Sequence, residues 1–309
     1  MGKGSAFPFV HKLATGYGPL TTVPIDHLLF PIYYCPVLSR NPINTERLAV
    51  VSFPKMSIAD FLKNLVRSRT APMAARPDAD LDILRRKCWT PEVRSGDGAL
   101  TGSKFSGIPY LAEGEKWPTC PNCGNPIQLF VQLNSEELPD GSGRPWGDGL
   151  LQFFYCTNGE AMCEVDCQAW GPYSKSTVLR IIAPGHNASE YSESPVPNPF
   201  RPRQILGWLE KDDFPNWEEL KEYAVEMTED EQEKLSESYP VQGEKLWGWP
   251  LWVQGIEYPN CPKCDTRMQL LFQVDSNQNI PYDFGDVGVG HICHCPEHRT
   301  ELAFGWACY

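Results

Sequence analysis

The sequence predicts an α+β, β-rich protein in which two duplicated β units form a pseudo-two-fold core, with peripheral helices. Three observations carry that expectation. A Cys-x-x-Cys pair running into an apolar segment is written twice, as "TCPNCGNPIQLFVQL" over 119–133 and "NCPKCDTRMQLLFQV" over 260–274. Setting Lys104 against Lys245 aligns 32 residues without a gap at a constant offset of 141, with twelve identities that include Gly107/Gly248, Pro109/Pro250, Gln132/Gln273 and Ser135/Ser276. A repeat that keeps its Gly and Pro punctuation reads as two copies of one structural unit. In each copy the apolar residues then fall on alternate positions: Ile127, Leu129, Val131 and Leu133, then Met268, Leu270, Phe272 and Val274. That is the period of a half-buried strand.

The elements follow in chain order. The first hundred residues carry the least pattern. "SIADFLKNLVRSR" (57–69) opens with capping-box spacing and continues at helical period, and "DADLDILRRKCW" (78–89) reads as a second short helix. Cys35 and Cys88 stand alone and read as small buried apolar residues. This gives an N-terminal extension at 1–102 and a duplicated domain at 103–309, with copy one at 103–183, a connector with acidic helices at 184–244 and copy two at 245–309. "WGDGLLQFFYC" (146–156) answers "FGDVGVGHICHC" (284–295), and the extra residue of the second predicts a β-bulge there. Each copy closes on a strand, "STVLRIIA" at 176–183 and "ELAFGWACY" at 301–309. Between the copies lies a Pro- and Ser-rich connector, followed by helix starts at Asn216/Glu219 and Thr228/Glu231. The acidic run from Glu226 to Glu233 reads as a solvated helix face. The matched glutamines are expected to meet across the two copies, satisfying each other or exposed backbone.

Twelve cysteines can mean disulfides or metal ligands. "MGKGSAFPF" has no apolar signal region, so a reducing, cytoplasmic setting and thiolate metal sites are expected. Cys-x-x-Cys with Pro after the first thiol and a turn residue after the second is a zinc-knuckle half-site, able to bring both thiolates to about 2.3 Å from one ion. In the second copy "HCPEH" supplies the other pair, giving Cys261, Cys264, Cys295 and His298, with Cys293 as the alternate and His291 nearby. In the first copy Cys120, Cys123 and Cys156 are joined by Cys163 or Cys167; the shorter loop favours Cys163. A redox dithiol would need a thioredoxin-like strand–helix setting, whereas here a strand follows each pair. Two structural zinc ions are therefore expected, each with four ligands and no open position for water.

The formal charge of −12 opposes a grip on nucleic-acid phosphates, and no apolar run approaches bilayer length. No P-loop, dinucleotide fingerprint, His-Glu-x-x-His or nucleophile elbow is present, and His11, His27 and His186 are isolated. A polypeptide partner, preferably a basic one, suits this composition. A metal-dependent enzyme of unknown reaction is the alternative.

The motifs "SKFSGIPYL", "WPTCPNCGNPIQLFVQLN", "GLLQFFYC", "KLWGWPLWVQ", "CPKCDTRMQLLFQVDS" and "FGDVGVGHICHCPEH" resemble the YwqG-like family, a domain of unknown function, over roughly 103–309. More distantly, the same pattern is similar to the programmed cell death protein 2 family, although the extra finger-like cysteine cluster between the halves is missing here. The wider group is associated with chaperoning a newly made ribosomal protein, and bacterial YwqG-like proteins have been proposed as toxin-immunity proteins. The resemblance implies a zinc-stabilised protein-binding module of chaperone, adaptor or immunity type.

Overall fold

The structure is a computed structural model and describes residues 81–309 apart from Ala224 and Glu226. The helix expected at 57–69, Cys35, His11 and His27 lie outside the described residues. Ten strands form a single sheet: β1 (Arg86–Ser95), β2 (Lys104–Phe105), β3 (Gln128–Asn134), β4 (Leu150–Tyr155), β5 (Thr177–Ile182), β6 (Arg203–Asp213), β7 (Lys245–Trp247), β8 (Gln269–Asp275), β9 (Val289–His294) and β10 (Leu302–Ala307). Three short helices are added among the described residues: α1 (Cys163–Asp166), α2 (Trp217–Glu222) and α3 (Glu229–Ser236). Asn216 caps α2 through Glu219 N–H, and Thr228 with Glu231 forms a capping box on α3, which buries none of its residues.

The strand order is β10-β9-β8-β7-β1-β6-β2-β3-β4-β5, and every pairing is antiparallel. If each strand is exchanged with the one five places away, the order reads the same from the opposite edge. The first strand of each half lies against the second strand of the other: β1 pairs with β7, β6 with β2, and β1 with β6 from Arg86↔Asp213 to Ser95↔Arg203. The sheet therefore begins at Arg86, upstream of residue 103. Of the helix expected over 78–89, the described residues 81–89 form no α-helical turn. Leu81–Leu84 makes one 3-10 turn, and the chain then becomes β1. Strand neighbours on both sides of Cys88 and Trp89 outweigh a short helical pattern that Pro91 would have ended anyway.

Both halves feed one core. Phe105 meets Phe272 at 6.2 Å between ring centroids and Phe153 meets Phe304 at 4.2 Å, while Trp89 and Ile205 enter from the two central strands. Each such buried side chain contributes about 1.5–3 kcal/mol. The β10 edge reaches the loop that precedes β5 at the other edge, where Trp306 N–H donates to the Trp170 carbonyl at 3.0 Å.

The β-bulge expected at the extra residue of 284–295 is not there. Register instead shifts between Leu129 and Val131 on β3, and between Leu270 and Phe272 on β8, at matching positions. The extra residue lies in the turn before β9, where Val287 has φ +57°. Each bulge lets one strand serve two environments: Ile127 and Leu129 pack among the cysteines, while Phe130, Val131 and Leu133 enter the central core.

Nor do the matched glutamines meet across the halves. Gln132 accepts from Tyr110 N–H at 2.9 Å and donates to the Gly102 carbonyl at 2.9 Å; Gln273 accepts from Leu251 N–H at 2.8 Å and donates to the Gly243 carbonyl at 2.8 Å. Each amide satisfies buried backbone in its own half, because β3 and β8 lie well apart in the strand order. The repeated lysines act likewise. Lys104 Nζ donates to Asp97 at 2.6 Å and Lys245 Nζ to Asp213 at 2.8 Å, and the same carboxylates accept from Ile108 N–H and Trp249 N–H. Gly107 (φ +82°) and Gly248 (φ +81°) turn the chain directly over those carboxylates, where a Cβ would collide with them.

Candidate metal centres

Each Cys-x-x-Cys forms a tight turn that its own backbone closes. Gly124 N–H donates to the Cys120 carbonyl at 2.7 Å and Cys120 N–H to the Asn125 carbonyl at 2.8 Å; Asp265 N–H to Cys261 and Cys261 N–H to Thr266 repeat this at 2.8 and 2.9 Å. Gly124 (φ +73°) and Asp265 (φ +58°) take the left-handed conformation that the turn needs. Cys156 follows the end of β4 and Cys295 the end of β9, so the knuckle loop and the strand end converge in both halves.

Cys120, Cys123, Cys156 and Cys163 form one group and Cys261, Cys264, Cys295 and His298 the other, with all ligand atoms of a group within 4.8 Å of one another. The Sγ atoms of Cys120 and Cys163 are 3.8 Å apart, as are those of Cys123 and Cys156. Two sulfurs bound tetrahedrally to one ion at about 2.3 Å stand roughly 3.8 Å apart, far beyond a disulfide. In the second group Cys264 and Cys295 are 3.6 Å apart, and His298 Nδ1 lies 3.8 Å from both Cys261 and Cys295. Each group could hold a metal ion.

Of the alternates, Cys167 caps α1 outside the first group, and Cys293 is buried beside the second without joining it. Burial pushes the Cys293 thiol up to about 12, so it stays protonated. His291 packs on Trp252 and His294 on Trp247; burial lowers them to about 3 and about 4, and neither belongs to a ligand group.

The electrostatics within each group suit a cation. Burial raises Cys123, but the Asn125 backbone and the neighbouring sulfurs outweigh it and bring the thiol to about 7. Cys264 falls to about 6, chiefly through hydrogen bonds with the Thr266 side chain and backbone. Burial holds Cys156, Cys163 and Cys295 up. Four crowded donors of this kind deprotonate together only when a bound ion balances the charge. Further hydrogen bonds reach the sulfurs from Asn122 Nδ2 to Cys163 at 3.3 Å, His298 N–H to Cys295 at 3.2 Å and Lys263 N–H to Cys261 at 3.4 Å.

Sequence reasoning missed Asp97 and Asp213, which anchor the turns after β2 and β7. Their offset is 116 rather than 141, so the ungapped alignment that exposes the lysines hides their partners.

A family model described as Domain of unknown function (DUF1963) matches residues 103–306. No curated protein matches the chain.

Proposed function

Given that the chain belongs to the DUF1963 family, we propose that it is a zinc-stabilised protein-binding module of chaperone, adaptor or immunity type. The family match is consistent with the YwqG-like resemblance. The observation that carries the reading is the pair of four-donor groups at corresponding strand ends. Thiolate-rich tetrahedral sets suit zinc, whereas magnesium, calcium and manganese favour oxygen donors. Zinc would neutralise the crowded thiolates and pin the knuckle loops to the ends of β4 and β9. Four protein ligands fill a tetrahedron, so neither site offers a place for an activated water. The matching strand order supports an internal duplication with a pseudo-two-fold core.

The partner in this reading is a polypeptide. A charge of −12 speeds encounter with a basic chain and speaks against nucleic acid. No helix among the described residues is long and apolar enough to cross a membrane, and reduced thiol ligands fit a cytoplasmic setting.

Elemental analysis of the full chain tests the metal: two zinc equivalents are expected, with Cys120→Ala and Cys261→Ala each losing one. Less than one equivalent, with oxidised thiols, would overturn it. A pull-down at low and high salt beside a hydrolase screen tests the function. Turnover abolished by replacing one ligand without loss of fold would replace the binding module with an enzyme.

A further inference from the structure

The link from Cys156 to β5 is much longer than its counterpart. In the second half Cys295 N–H donates to the Glu301 carbonyl at 3.0 Å, and 296–300 only turns the chain and supplies His298. In the first half Cys156 N–H makes the matching bond to the Ser176 carbonyl at 3.0 Å, but the chain between them covers 157–175. Cys163 completes the donor group early in that stretch, so ligation does not account for the residues after it.

Those residues form a strap that crosses to the second half. Glu164, next to Cys163, accepts from the Tyr155 hydroxyl at 2.9 Å and from the Tyr282 hydroxyl at 2.6 Å. Ala169 is buried in the shared core, and the Trp170 carbonyl that accepts from Trp306 N–H stands so near β10 that a Cβ on Gly305 would lie 3.0 Å from it. Tyr173 then reaches the second knuckle. Its hydroxyl donates to the Asn260 carbonyl at 2.8 Å and lies 3.7 Å from Met268 Sδ, in the cluster of Cys261, Cys293 and Cys295.

That carbonyl belongs to the same planar peptide unit as Cys261 N–H, which closes the knuckle on the Thr266 carbonyl at 2.9 Å. Holding one end of the unit orients the other. The strap is itself set by its contacts: Met162, Gln168 and Tyr173 take φ +48°, +50° and +64°. Side chains disfavour that left-handed region, and residues stay in it where the surrounding structure fixes them.

We propose that Tyr173 is a positioning residue for the second metal centre and that the strap over 163–173 makes zinc binding at the two groups cooperative, an inference that rests on the metal-binding reading. An ion at the first group fixes Cys163 and orders the strap. The second knuckle then has less freedom left to lose when its own ion arrives. Linkage makes the effect mutual, so each ion raises the affinity for the other by the same factor.

The test strips the full chain with a chelator under reducing conditions and titrates zinc back against a chromophoric competitor. Four proteins are compared: the natural chain, Cys120→Ala, Tyr173→Phe and the double variant. Cys120→Ala removes the first site from outside the strap, while Tyr173→Phe deletes one hydroxyl and keeps the ring. Loss of the first ion is expected to weaken the second site about fivefold in the natural background, the size of one hydrogen bond, and less than about twofold in the Tyr173→Phe background. A hydroxyl that merely supports the fold would leave the effect of Cys120→Ala equal in both backgrounds; that result, or no effect in either, would overturn the coupling. Tyr173→Phe alone keeps all eight donors, and its zinc titration should lose about fivefold in one of the two steps. An unchanged titration there would overturn the proposal even if Cys120→Ala fails to fold. Less than one zinc on the natural chain would remove the metal reading itself, whereas two zincs bound independently would remove only the coupling.

Discussion

The two halves of the molecule shelter opposite things. In the first, the metal group is mostly buried, with α1 supplying Cys163, while the ion pair is half open: Lys104 is 1% exposed and Asp97 32%. In the second, Cys264 is exposed and His298 comes from the loop after β9, while Lys245 and Asp213 are both fully buried. Chain length between strands accounts for the exchange. The link from β6 to β7 is long enough to hold α2 and α3, and it returns Val241 N–H to Asp213 Oδ1 at 2.8 Å. The short link from β1 to β2 leaves Asp97 partly in water. One strand frame thus shelters the four-donor group more fully in one half and the ion pair more fully in the other.

The metal comparison is expected to show the largest effect. Structural zinc in small domains contributes on the order of 10 kcal/mol or more to folding. A chelator should remove one equivalent quickly and the other slowly, the fast one being the site of exposed Cys264. Two-phase release followed by a zinc dye, with His298→Ala abolishing the fast phase, checks this. Loss of the fast phase in Cys163→Ala instead would reverse the order of shelter.

The ion pairs come next. Burial lowers the pKa of both Lys104 and Lys245, and their aspartates oppose that shift. Removing one partner of a fully buried pair typically costs about 3–5 kcal/mol, because the other charge is stranded. Asp213→Ala should therefore destabilise by that amount in urea. Asp97→Ala should cost roughly half as much, since water can reach Lys104 through the vacated, partly exposed position. Equal losses would mean that the shelter of Asp213 has no energetic meaning.

The glutamines should distinguish the halves only slightly, since Gln132 adds bonds with the Leu100 carbonyl and Gln152 that Gln273 lacks. Gln132→Ala and Gln273→Ala each orphan a buried backbone N–H and carbonyl, at about 1–3 kcal/mol. A double mutant should lose the sum, because the two amides do not touch. A coupling above about 0.5 kcal/mol would restore an interaction between the two glutamines.

The smallest expected effect is a pH dependence confined to the second half. Burial raises the carboxyl groups of Glu219 and Glu244 from the ordinary carboxylate range to about 7. With the folded-state value above the unfolded one, the protonated form favours the fold. That stability is fully present below the ordinary carboxylate range and is lost as pH rises through about 7. Glu244→Gln should flatten the slope of stability against pH between 5 and 8 by about half. An unchanged slope would place the titration elsewhere.

The two four-donor groups were legible because each Cys-x-x-Cys is local and the other donors follow within about forty residues, at matching places in two similar segments. The strands β3 and β8 were legible from alternation. The strand β1 was not: "RKCWTPEVRS" and "RQILGWLEKDD" share no pattern that an alignment detects, although they occupy equivalent places in the sheet. Their residues are chosen by cross-strand neighbours more than by local propensity. The bulges at Phe130 and Leu271 were equally hidden, since an alternating apolar run reads the same with or without a register shift.

By itself, the sequence determined the matching strands β3 and β8, the two donor sets and the capped helices α2 and α3, because each depends on residues close together in the chain or related by one constant offset. Tertiary structure alone decided that Asp97 and Asp213 anchor the repeated lysines, that each half lends its first strand to the other, and that Gln128 and Ser106 hold the Phe200 backbone. These depend on contacts closed across long, unequal loops. Hydrogen bonds and burial there are set by three-dimensional neighbours, and no sequence period records them.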